Sequence, residues 1–302
     1  MISVFESMGI YSRLLFCCLY WLVVFAAAAQ THSNTYADKK QQALSLVKQI
    51  TLTKSNSWPN VNPDLFLANL KRNIERPVFL YAGRNTNFCS YAAVGYILLE
   101  QDPSGYVQFM LDLYTNGEAL YANTTYKPAE AVRKTAGTIL YEGELDRNDA
   151  DQVFFFTLAD HYKGYLNILH LKYKRDGELG LWAATNLAKF NRMLRAMMQT
   201  EIRCIGYDLV RVKQKHLVDS LQKKLAQGDV FLYLNNGILR KKNHNKVKKH
   251  IPTHYVVLKS IVEENGHITM TYWDAGFTTQ RQIDTKALYS MLFGISWSVR
   301  HR

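Results

Sequence analysis

The chain has 302 residues, 48% of them apolar and 13% aromatic, with a formal net charge of +12. That apolar share excludes a disordered chain, and the length holds one large domain or two modest ones. The basic balance suits an acidic partner such as anionic lipid, cell-wall polymer or nucleic acid. The absence of any helix-turn-helix, zinc-finger or aromatic single-strand-binding pattern argues against specific nucleic-acid recognition.

Arg13 precedes the apolar run 14–29, which closes on Ala27-Ala28-Ala29 before Gln30. This is the layout of a secretory signal, so residues 1–30 are read as a signal peptide and the product as periplasmic or secreted. The alternative is an uncleaved segment that anchors the chain to a membrane. Export leaves Cys89 and Cys204, an even pair that an oxidising compartment invites into a disulfide.

Apolar residues at Ala43, Leu44, Val47 and Ile50 keep helical spacing over 37–50. Asn62-Pro63-Asp64 then starts a helix with an N-cap, a proline and an acidic first turn, and Pro77 ends it. A short apolar run at 78–81 leads into the turn Gly83-Arg84-Asn85. From Cys89 to Glu100, the small residues Ala92, Ala93 and Gly95 predict a helix packed closely against its neighbours. Further helices are expected at 103–116, 128–136, 149–169 and 182–198. After Thr200 the period changes to a strand at 202–212, a short helix lined by Leu217, Leu221 and Leu225, and a buried strand at 229–234. Strands at 253–262, 267–273, 278–283 and 295–299 follow, with a helical turn at 285–291. Helices first and an antiparallel sheet later give an α+β fold, with a helical lobe at about 37–200 and a sheet lobe at about 201–302.

Three residues in this layout carry chemistry. Cys89 stands where a polar, turn-prone run gives way to a helix, and a helix start favours the thiolate. His254 heads one strand, and Asp274 ends the next. Side chains alternate along a strand, so both face one way only if their cross-strand pairs sum to an even number. A three-residue turn, Glu264-Asn265-Gly266, meets this condition and sets Asp274 opposite Val256, a diagonal neighbour of His254 about 7–8 Å away. A two-residue Asn-Gly turn would put them on opposite faces. In the first case Cys89 attacks a carbonyl, His254 carries the proton and Asp274 orients the imidazole. The oxyanion would meet the Cys89 backbone N–H and a side-chain amide from Asn85 or Asn87.

Cys89 at a helix start, the Gly228-Asp229-Val230 strand, the strand His254-Tyr255-Val256-Val257-Leu258 and the strand end Trp273-Asp274-Ala275-Gly276 together resemble the papain-like cysteine peptidase superfamily. Residues 217–276 are most similar to its bacteriocin-leader-processing and related bacterial branches. The resemblance covers about 78–100 and 214–299 and implies a Cys-helix lobe packed on an antiparallel sheet carrying His and Asp, with a large helical insertion. Such peptidases place an oxyanion Gln six residues before the cysteine, where this chain has Gly83, and often a Trp after it, where this chain has Ser90-Tyr91. The expected activity is a thiol hydrolase that cleaves a peptide or amide bond. A cell-wall amidase or a transglutaminase-like acyl transferase would use the same three residues, and a non-catalytic binding or effector-like protein would keep only the fold.

No cofactor or metal is expected. His161 and His170 read as helix-surface or core residues, and no His-Glu-x-x-His or Cys-x-x-Cys spacing occurs. The basic run with Arg240, Lys241, Lys242, Lys246, Lys248 and Lys249 is either a solvated loop or a border of the cleft that favours acidic partners.

Overall fold

The computed structural model describes residues 36–83, 86–140, 148–165, 171–239 and 251–299. The expected signal peptide, Asn85, His170 and the basic residues Arg240, Lys241, Lys242, Lys246, Lys248 and Lys249 lie outside the described residues. The fold is α+β. A helix over 36–49, α1, comes first. In α2 (Pro63–Glu75) the Asn62 side chain accepts from the Asp64 and Leu65 N–H groups, as its sequence predicts. Next come α3 (Cys89–Gln101) and α4 (Pro103–Asn116), the latter closed by Gly117 in the left-handed region. A small hairpin, β1 (Ala119–Tyr121) and β2 (Thr124–Tyr126), is an addition to the expected elements. Its strands are too short to show a period, and Ala122 and Asn123 turn between them at positive φ. Helices α5 (Glu130–Thr135), α6 (Asp149–Tyr162) and α7 (Leu187–Met198) complete the helical part.

Several boundaries differ from the sequence expectation. The helix expected over 149–169 ends at Tyr162, where Lys163 leaves the helical region and Gly164 takes a positive φ, and the strand expected over 295–299 begins at Leu292. The helix expected from residue 182 begins at Leu187, because the Asn186 side chain accepts from the Lys189 N–H and caps it there. The strand expected over 202–212 stops at Gly206, as β3 (Glu201–Gly206). There φ is +116°, and a Cβ would stand 2.1 Å from the Phe293 carbonyl oxygen, a close approach only glycine allows.

The remaining elements are α8 (Leu217–Leu225), β4 (Val230–Leu234), α9 (Asn236–Leu239), β5 (His254–Glu264), β6 (His267–Asp274), β7 (Phe277–Asp284), α10 (Thr285–Met291) and β8 (Leu292–Val299). Six strands form one antiparallel sheet in the order β3-β8-β4-β5-β6-β7. Strand alternation divides its side chains. Phe231, Tyr233, Tyr255, Val257 and Trp273 join the core under the helical part. Leu232, Val256, Leu258, Met270 and Tyr272 join a second core closed by α8 and α10 through Leu221, Leu288 and Met291.

Helix α3 runs through the middle of the first core. Ser90 through Leu99 are buried without a break, with α4, α6, α7 and β5 against the helix. Such enclosure requires small side chains where neighbours come closest. A Cβ on Gly95 would lie 2.7 Å from the Phe154 ring and 2.8 Å from a Leu80 methyl. The Tyr96 ring lies flat on Trp273 at 4.4 Å, and the Trp273 indole N–H donates to the Val78 carbonyl. Gly95→Val should therefore cost about 1–3 kcal/mol through overpacking, despite the better helix propensity of the new residue. A chemical-denaturation midpoint unchanged by this substitution would contradict the packing described.

Candidate active site

The segment before Cys89 is held from two sides. Thr86 donates its hydroxyl to the Ala82 carbonyl and accepts from the Phe88 N–H. Asn87 donates its backbone N–H to the Glu178 carbonyl at 2.8 Å, and its side-chain amide donates to the carbonyls of Leu179 and Gly180 at 2.9 and 3.0 Å. The Asn87 amide, considered above as an oxyanion donor, thus fastens the loop to the 3-10 turn Gly177–Leu179 instead. Helix α3 begins at Cys89 without a side-chain cap, and its first internal bond runs from the Ala92 N–H to the Phe88 carbonyl. The backbone N–H groups of the first turn, from Cys89 onward, point out of the helix start towards the thiol's surroundings.

The hairpin that carries the other two residues corrects the register expectation. Glu264 pairs with His267, so the turn is the two-residue Asn265-Gly266, with both residues at positive φ. That turn alone would set His254 and Asp274 on opposite faces. The register then slips by one: Ser260 pairs with Thr271, but Leu258 pairs with Tyr272. Lys259 is the extra residue of a β-bulge, and beyond it the pairs sum to an even number. The bulge also turns Lys259 towards α3, where its ammonium reaches Glu100 at 2.8 Å and lies 4.4 Å from the Tyr96 ring centroid. Both members of this ion pair are about a third exposed, so it contributes at most ~1 kcal/mol. The register is the larger effect.

With that register, His254 Nε2 donates to Asp274 Oδ1 at 2.5 Å. Both residues are buried, and Asp274 occupies the last position of β6, just before the tight turn Ala275-Gly276. The Cys89 side chain lies close enough to the same imidazole to act on its charge. With Nε2 committed to Asp274, Nδ1 is the ring nitrogen open to the thiol. Burial pulls the His254 pKa down, but the Asp274 carboxylate and Cys89 outweigh it and push it up to about 10. A positive imidazole between two acidic groups is the state this arrangement favours.

Beside Cys89 opens a cleft of about 400 Å³, walled by Tyr165, Leu181, Leu209, Tyr233, Ile251 and Tyr255. The rings of Tyr233 and Tyr255 stack at 4.2 Å. None of these residues is expected from sequence as a cleft wall. Tyr165 is expected in the core of a helical segment over 149–169 and Leu209 on a strand over 202–212. Both instead lie in loops beyond α6 and β3, as does Leu181, whereas Tyr233 and Tyr255 could have been placed from their cross-strand pairing and common strand face.

A second feature also escaped the sequence reading. Asp151, fully buried on α6, accepts from the Asn73 side-chain amide at 2.5 Å and the Tyr81 N–H at 3.2 Å, bracing the segment that leads to Cys89. Burial pushes its carboxyl up to about 7, against the pull of Asn73 and Arg72. His161 lies at the end of α6 against Tyr126, and among the described residues no group of His, Cys, Asp and Glu could hold a metal ion. Cys89 and Cys204 are both free thiols, so the alternative disulfide is not formed. No protein-family model matches the chain, and no curated protein matches it.

The raised His254 pKa has a defined sign for stability. The contribution of the pairing is complete below the ordinary histidine value of 6.5 and is lost as pH rises through about 10. Followed by NMR, the His254 ring should titrate near that upper value, and in Asp274→Ala at least about one unit lower. An imidazole that titrates at its ordinary value in both proteins would contradict the pairing.

Proposed function

We propose that the chain is an exported, papain-like thiol hydrolase that cleaves a peptide or amide bond through Cys89, His254 and Asp274. The observation that carries this reading is one buried imidazole engaged by a carboxylate on Nε2, with a helix-start thiol close enough to act on its charge. The thiol proton passes to His254, and the Cys89 sulfur attacks the substrate carbonyl carbon. The tetrahedral oxyanion meets the backbone N–H of Cys89 and its neighbours in the first turn of α3, which carry the positive end of the helix dipole. As the C–N bond breaks, the imidazolium gives its proton to the leaving amine. Water then attacks the thioester, its proton goes to His254, and the C–S bond breaks to release the acid and restore the thiol. Asp274 keeps the ring in the orientation that both transfers need.

The papain-like reading is supported by the chain order Cys, His, Asp, by α3 packed across a sheet face and by His254 at the head of one strand with Asp274 at the end of the next. Export to the periplasm or the exterior is supported by the signal-like layout of residues 1–30. Among the described residues no helix is long and apolar enough to cross a membrane. The basic residues from Arg240 to Lys249 would attract an acidic partner by long-range charge. A cell-wall amidase or an acyl transferase differs from this reading only in the substrate and the final acceptor. The non-catalytic alternative draws its support from Asn87, whose amide is already committed to carbonyls.

The thiol decides the matter. Iodoacetamide at neutral pH should alkylate Cys89 at least about tenfold faster than Cys204, although Cys204 is the more exposed. His254→Ala should remove that advantage. Equal, slow alkylation of both cysteines, read by peptide mass spectrometry, would sink the catalytic reading and leave the binding-protein alternative.

A further inference from the structure

The walls of the Cys89 cleft carry no charged side chain among the described residues, and most of their polar side chains are engaged within the protein. The Asn87 amide donates to two backbone carbonyls. The hydroxyls of Tyr165 and Tyr233 face each other at 3.4 Å, and the Tyr255 hydroxyl donates to the Thr185 carbonyl. The Leu181 carbonyl accepts from the Tyr165 N–H, the Thr253 N–H donates to Leu234, and the Thr253 hydroxyl accepts from the Asn236 N–H. The Thr185 hydroxyl has no partner, but it is shielded from solvent.

A charged or strongly polar substituent laid in this cleft would be buried against side chains that are apolar or already engaged. A hydrocarbon chain has no such groups to strand. The rim has the same character. Leu209, Leu181 and Ile251 line the cleft yet are 77%, 61% and 44% exposed. Leu179, Tyr207 and Val210, also exposed, adjoin them in sequence. Large apolar side chains left in water around one opening mark a surface that meets an apolar ligand.

We infer that the cleft takes the acyl chain of the substrate, so that the scissile bond is the amide or thioester of a long unbranched acyl group. This rests on the thiol-hydrolase reading above, fixes its acyl side and adds the thioesters that the same attack would cleave. Cys89 attacks the acyl carbonyl, the C–N or C–S bond to the leaving group breaks, and His254 protonates the departing amine or thiol. The acyl chain remains on Cys89 as a thioester until water releases it as the fatty acid.

The test uses the full chain and four thioesters with one leaving thiol: acetyl, octanoyl, succinyl with its free carboxylate, and an N-acetyl-leucyl-phenylalanyl peptide. Acylation of Cys89 is read by intact-protein mass, and turnover by the released thiol. Octanoyl should acylate about tenfold or more faster than acetyl, and succinyl should be the slowest. The double variant Leu181→Asp with Leu209→Asp, both on exposed side chains, should collapse the octanoyl-to-acetyl ratio. Leu120→Asp, exposed on the β1–β2 hairpin away from the cleft, should leave that ratio as it is.

Acetyl and octanoyl acylating at equal rates would overturn the acyl-chain inference while leaving the thiol hydrolase standing. A peptide thioester that outpaces octanoyl would overturn it in favour of apolar peptide substrates. No acylation by any of the four, together with unreactive Cys89 towards iodoacetamide, would remove the thiol-hydrolase reading itself.

Discussion

The candidate site depends on the register of the β5–β6 pair. His254 and Asp274 belong to neighbouring strands, and a strand presents alternate residues to opposite faces, so a slip of one residue would part them completely. The tight Asn265-Gly266 turn starts the hairpin in the wrong phase, and the bulge at Lys259 restores the right one. The alignment of the imidazole with the carboxylate is thus set by a backbone irregularity several residues away. Bulges in antiparallel sheets commonly re-aim side chains near functional sites, and this one also supplies Lys259 to Glu100 and Tyr96 on the cysteine helix.

The thiol is fixed by different means. Helix α3 is enclosed on all sides, so Cys89 takes its position from a rigid element rather than from a loop. Trp273 joins the two arrangements. One residue before Asp274, it stacks on Tyr96 of α3 and donates to Val78 in the segment that leads to Cys89. The strand end with the carboxylate and the helix with the thiol therefore share one buried indole. Packing density does here what a covalent link would do elsewhere.

Much of this was legible in the sequence. The helix-then-sheet order, the Asn62 cap and the close packing of α3 follow from apolar spacing, capping chemistry and small residues. The bulge was legible as well, in a signal that the turn-based argument passed over. On β6 the second core is served by Ile268, Met270 and Tyr272 at even steps, whereas on β5 it is served by Leu258 and then Ile261, three residues on. A strand cannot change phase by an odd step without an extra residue. The short β1–β2 hairpin and the cleft walls were not legible. Three-residue strands show no period, and Leu181 and Leu209 come together with Tyr165 only through tertiary folding. The engagement of the Asn87 amide depends on a turn some ninety residues away and has no local signature.

That engagement also ties the cleft rim to the backbone just before Cys89. Glu178, Leu179 and Gly180 hold the residue two places before Cys89 through three hydrogen bonds, while Leu181, the next residue, forms part of the cleft wall. A shift of this turn would therefore carry the cleft wall at Leu181 and the approach to Cys89 together, so that neither can be repositioned alone.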